Sequence, residues 1–233
     1  MSGGALAALI LGPALLFGLM LTYGLFAKLS QKKEYDFLSY FPYELYEDSQ
    51  GVYLGTRVFQ GLYLLATTGL SVYLLVSFKA YEGSALSYLI GIAVFSFALG
   101  AVELLITLVT PRNPKDHLLL FYLFGGLLSV TVAMMGSFLY ALSKNTPGEG
   151  SALLLFAIVL FCLALGAFLV LLNPRLSKWD RLEAQALPDG TVRYVRPRPF
   201  VLAASEWLLI ALHLLALLVA AFGYFFAPAP AAL

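Results

Sequence analysis

The chain has 233 residues, of which 61% are hydrophobic and only 12% charged, and its formal net charge is +1. That composition excludes an ordinary soluble domain, and a charge so near zero gives no electrostatic reason to expect nucleic acid as a partner. A single cysteine, Cys162, leaves no disulfide framework and no cluster of thiols for a metal.

A hydrocarbon core of roughly 30 Å needs about 20 apolar residues in a helix. Six segments meet that requirement, near 5–27, 53–77, 86–110, 118–142, 152–172 and 200–226. Their apolar runs are continuous rather than alternating with period two, which selects helices over a barrel. The expected fold is all-α, a polytopic membrane bundle of six transmembrane helices forming one domain over 1–233, with the lipid bilayer as its first partner.

The first segment has no basic stretch before it, and Lys28, Lys32 and Lys33 follow it, so it reads as an anchor rather than a cleaved signal peptide. Its N-terminus is expected outside. Gly4, Ala8 and Gly12 follow small-xxx-small spacing, and Pro13 predicts a kink. The connection 28–52 carries five acids and six Phe or Tyr residues. Phe37, Leu38, Phe41 and Leu45 recur at helical spacing, Pro42 suits the first turn of a second short helix and Gly51 its end. The prediction is an interfacial helix-turn-helix along the inner leaflet.

In the second segment Arg57, Gln60, Tyr63, Thr67 and Ser71 form one stripe, and in the third Ser96, Gly100, Glu103, Thr107 and Thr110 form another. "EGSAL" stands before the third segment and again before the fifth, "FSFALGA" resembles "FCLALGA", and both hairpins end in Pro-Arg. The pattern suggests a duplicated helical hairpin, helices two and three matching helices four and five, related by an axis along the membrane normal. Gly125, Ser129 and Ala133 give the fourth segment a small-residue face that suits packing within the chain or against a homo-oligomer or membrane-protein partner. Cys162 reads as a small core residue.

The connection 173–199 is basic, with six Lys or Arg against three acids. Asn173 and Pro174 read as a helix start, Leu176, Trp179, Leu182 and Ala186 as one helical face, "LPDG" as a turn and "TVRYVRPRP" as an extended segment. Arg193, Arg196 and Arg198 then make a basic surface that complements the acids Glu44, Glu47 and Asp48 of the first connection. The two are expected to dock as a cap. In the sixth segment Glu206, His213 and Tyr224 share a face.

Twelve Lys or Arg residues fall in the first, third and fifth connections and two in the others, which places those three connections in the cytoplasm and both termini outside. The localisation expected is a multi-pass protein of a plasma membrane, of the bacterial inner kind. Charges near a helix centre cost about 2.5 to 3.5 kcal/mol, so Arg57, Gln60, Glu103, Glu206 and His213 are the candidate polar pocket, open to the cytoplasm. Paired carboxylates at one depth raise one another's proton affinity, and His titrates near neutrality. The same residues also suit a structural tie in which Arg57 neutralises Glu103 or Glu206.

There is no helix-embedded Lys for retinal, and His117 at a helix entrance does not match the depth of His213 for a haem. The His-Glu-x-x-His motif, an intramembrane Asp, a Gly-x-Ser-Gly nucleophile and the nucleotide-binding loops are missing too. No catalytic residue, cofactor or metal is therefore expected. Three classes stay open: a non-catalytic subunit or partner-binding protein working through its cytoplasmic face; a small proton- or cation-linked transporter or channel; and an enzyme acting on lipid around Glu103 and Arg57.

Overall fold

A computed structural model describes residues 3–31, 35–46, 50–77, 82–108, 114–144, 150–178, 182–187 and 190–226. Six helices carry it: α1 (Gly3–Ser30), α2 (Gln50–Ser77), α3 (Gly83–Leu108), α4 (Pro114–Ser143), α5 (Gly150–Leu171) and α6 (Val201–Phe225). All six are long and apolar enough to cross a bilayer. The protein is a multi-pass membrane protein whose outer faces meet lipid. The lipid-facing side of α5 shows why, with Leu155, Ile158, Leu165, Phe168 and Leu169 all exposed.

The helices pack in a ring in chain order, each against the next, and α6 closes the ring against α1. A further contact joins α6 to α4 across the bundle. The buried face of α6 explains its central place: Leu202, Glu206, Leu209, His213, Ala216, Ala220 and Tyr224 recur every three or four residues. Close approach elsewhere needs small residues. At Gly136 a Cβ would stand 3.2 Å from the Ala157 carbonyl oxygen, which lets α4 and α5 touch. Gly125 packs in the same way against Leu171 and Leu209, within the chain. Gly12 faces open space instead. Cys162 is exposed on α5 rather than a core residue.

Three sequence expectations need correction at the end where α1 leads into α2 and α5 into α6. The helix expected after Asn173 stops as a 3-10 turn, Pro174–Lys178, with Asn173 Oδ1 accepting from the Arg175 amide at 3.0 Å. The segment then forms an antiparallel hairpin, β1 (Glu183–Ala186) with β2 (Val192–Val195), in the register Glu183 to Val195 and Ala186 to Val192. A short exposed helix has too few bonds to offset its nucleation cost, whereas the bonds of Leu187 with Gly190 and Thr191 bring a strand partner to hand. Gly190, at φ +82°, supplies the left-handed turn residue, and its amide donates to the Leu187 carbonyl at 3.0 Å.

In the first connection, residues 37–39 make only a turn, and the second short helix is a 3-10 turn, Pro42–Leu45. Gly51 does not end it but lies in the first turn of α2. Glu47, Asp48, Thr110 and Trp179 lie outside the described residues. The two "EGSAL" glycines differ in conformation: Gly83 has φ +59°, and Gly150 does not share that positive φ.

Candidate functional site

Each intramembrane acid is held by a histidine from another helix. Glu103, on α3, has no exposed surface. Its Oε1 lies 2.8 Å from His213 Nδ1 on α6, and its Oε2 accepts from the Tyr63 hydroxyl of α2. Thr107 and Thr67 spend their hydroxyls on backbone carbonyls one turn back, at 2.7 and 3.0 Å, so they add no competing donors. Gly100 permits the fit, since a Cβ there would meet Thr67 at 3.3 Å. Three helices thus converge on one carboxylate.

The second couple sits closer to the loop-bearing end. Glu206 of α6, also without exposed surface, meets His117 Nε2 of α4 through Oε1. Glu206 Oε2 and His117 Nδ1 are buried without a hydrogen-bond partner, as is Ser96 Oγ. Seven residues separate Glu206 from His213, about 10 Å along the helix, so the two carboxylates occupy separate sites. The paired-carboxylate arrangement is replaced by two acid–histidine couples.

Arg57 and Gln60 stay apart from both. Arg57 is exposed, its guanidinium bonding Gln60 Oε1 at 2.9 Å and the Tyr53 hydroxyl on its own helix. It stands about 80° round α2 from Thr67 and only in the second helical turn, so the long side chain reaches outward.

Over the Glu206 couple lies the first connection. The ring of Phe41 stands edge-on to His117 at 4.6 Å, with Tyr43 at 5.7 Å and Phe200 against Phe41 at 5.5 Å. This roof is built locally. Glu44 Oε2 accepts from the Phe41 amide at 2.6 Å and so caps the Pro42–Leu45 turn, while the Tyr35 hydroxyl donates to the Phe41 carbonyl at 2.7 Å. Tyr46 backs onto α1, and burial holds its hydroxyl well above the usual phenol range. Burial does the same to Tyr35.

The second loop docks on that roof. Arg196 places one terminal nitrogen 2.9 and 2.8 Å from the two oxygens of Glu44 and donates to the Ser39 carbonyl at 3.3 Å. Burial would lower the Arg196 guanidinium, yet the hydrogen bond and charge of Glu44 raise it above its ordinary value. Arg198 Nε pairs with Asp36 Oδ2 at 3.0 Å. Backbone and ring donors add to the joint, from the Phe200 amide to the Leu38 carbonyl at 2.7 Å and from Trp207 Nε1 to the Tyr40 carbonyl at 3.0 Å. Between the loops and the end of α1 opens a cleft of about 850 Å3, and Arg193, Arg196 and Arg198 all line it.

Sequence reasoning missed His117, Asp36 and the hydrogen-bonding role of Tyr63. His117 stands near the start of α4 and Glu206 near the start of α6, two helices that run parallel because α5 returns the chain between them, and that matched level was the available signal. Among the described residues no group of three His, Cys, Asp or Glu is placed to hold a metal ion. Chemically, the couples can share or relocate a proton, whereas the cleft presents fixed cations to solvent. No known protein family, characterised protein or solved structure matches the chain.

Proposed function

We propose that this membrane protein is a non-catalytic binding protein, a subunit or partner-binding component that works through its loop-bearing face, and that this face is cytoplasmic. The observation that carries the reading is the cleft bordered by Arg193, Arg196 and Arg198, which leaves cationic chemistry open to a ligand. The intramembrane acids are consumed in sealed couples, with His117 and His213 only 3% and 6% exposed. That arrangement suits ties between helices better than a path for ions. The lopsided distribution of Lys and Arg supports the sidedness.

The test joins two measurements. A photo-crosslinker in place of Tyr194, on the cleft wall, is expected to give one adduct of fixed mass in native membranes, and Arg193→Glu is expected to remove it. Proteoliposomes under a pH gradient are expected to show no proton flux above the lipid background. Flux that Glu103→Gln and Glu206→Gln abolish, without any adduct, would replace this reading by a proton-linked transporter.

A further inference from the structure

The cleft holds more cationic chemistry than the cap uses. Arg196 is committed to Glu44 and the Ser39 carbonyl. Among the described residues Arg198 engages an acid only through Nε, at Asp36, and its side chain is 73% exposed, which leaves its two terminal nitrogens to solvent. Arg193 stands exposed on β2 with no ion pair among the described residues. Among the described residues the lining carries three arginines and one acid, Asp36; with Arg196 balanced by Glu44 and Arg198 by Asp36, the charge of Arg193 is the surplus that makes the cleft positive.

Position narrows the ligand. The cleft floor includes Leu29, in the last turn of α1, and Leu29 and Phe26 share one exposed helix face below it. Tyr35 and Tyr40 line the same cavity, and Trp207 bonds the Tyr40 carbonyl, which is the aromatic composition of a membrane interface. A cation-rich mouth above an apolar track fits an amphiphile with an anionic head. Guanidinium groups match phosphate oxygens in particular, because their donors form a planar fork.

We propose that this cleft binds a phosphate group, carried by an anionic phospholipid, with Arg193 and the terminal nitrogens of Arg198 on the phosphate and Leu29 and Phe26 along the acyl chain. The proposal rests on the reading of the loop-bearing face as the working surface, and it names what that surface takes. Anionic lipid is concentrated in the cytoplasmic leaflet, where each nearby Lys or Arg contributes about a fivefold gain in affinity. Asp36 opposes the ligand, which supplies a variant of opposite sign.

The experiment uses the full chain in detergent, titrated with phosphatidylglycerol or phosphatidylcholine, with bound lipids counted by native mass spectrometry. Phosphatidylglycerol is expected to be preferred, Arg193→Ala to reduce that preference about fivefold and Arg193→Lys to retain only part of it, because an ammonium keeps the charge but not the planar fork, whereas Asp36→Asn should raise it. Arg193 is exposed, and its strand is paired through the backbone, so the Arg193 variants are expected to keep the wild-type melting temperature. Inorganic phosphate, added alone, distinguishes the source: if it displaces the lipid and protects the chain on heating, the site takes soluble phosphate as well, and if it does neither, the lipid headgroup is the ligand. A preference that is absent, or that survives Arg193→Ala with Arg198→Ala, overturns the proposal. The Tyr194 adduct, read in native membranes, separates the two levels: adduct without lipid preference removes only this inference, while flux without adduct removes the function it rests on.

Discussion

The interior of the bundle and its cap both pair acids with bases, but they choose different bases. Inside, Glu103 and Glu206 meet His213 and His117; in the cap, Glu44 and Asp36 meet Arg196 and Arg198. The difference follows from water. A guanidinium cannot give up its proton, so burying it with a carboxylate separates two full charges in a low-dielectric medium, where desolvation can exceed the attraction. Histidine can be neutral, and a couple that shares one proton avoids that cost. At the cap solvent supports the charges, and permanent cations suffice. Where the chain must enclose polarity it uses titratable bases, and where it docks loops it uses fixed ones.

The largest effect that could break this comparison is expected at Glu103. Glu103→Ala leaves the Tyr63 hydroxyl and His213 Nδ1 buried without partners, a loss of about 3 to 5 kcal/mol summed over both groups. Thermal unfolding in detergent reads it directly. Glu206→Gln is expected to cost less, because Glu206 uses only one oxygen and an amide can still face His117. Equal losses at the two sites would show that the couples are not graded by their number of partners.

A smaller loss is expected where the cap seats on the bundle. A Cβ at Gly24 would fall 2.5 Å from a ring carbon of Tyr46, which is itself buried, so Gly24→Ala should destabilise by about 1 to 3 kcal/mol. Gly18 is the control, with nothing within 4 Å of its Cβ position, and Gly18→Ala is expected to change stability by less than about 0.5 kcal/mol. If both variants melt alike, the cap is not tied to α1.

The cap pair itself ranks next. Glu44→Gln weakens the hold on Arg196 and the capping of Phe41, together about 1 to 2 kcal/mol. A double-mutant cycle with Arg196→Met isolates the pair, and a coupling of zero would make the two loops independent.

The smallest effect is a pH dependence at Asp36. Donation from the Leu38 amide, joined by the Ser39 hydroxyl and the Arg198 charge, holds this carboxyl below its ordinary value of 3.8. A carboxyl lowered on folding stabilises fully above its unfolded value and loses that contribution as pH falls through the folded one. Hydrogen-exchange protection over residues 36–46, taken relative to the intrinsic rate at each pH, is therefore expected to fall below about pH 4, and Asp36→Asn to remove the dependence.

Much of this was readable along the chain. The six spans follow from apolar run length, because a helix satisfies its own backbone and needs only enough residues to cross lipid. Glu103, Glu206 and His213 stood out because ionisable groups are costly there, and opposite charge in two long connections anticipated that Glu44 would meet Arg196. Arg57 was misplaced because its stripe was followed to the helix end, where a long side chain can leave it. The strands at 183–186 and 192–195 were missed as a pair because neither holds a shape until the turn between them closes.

Sequence alone determined how many helices there are and which side chains must be hidden, since both depend on transfer from water to hydrocarbon, a property of each segment by itself. Tertiary structure decided which base meets which acid. Glu206 and His117 are 89 residues apart, as are no two groups that local periodicity could relate. Only the packing of α6 against α4 brings them within reach, and only the docking of residues 35–46 removes them from water.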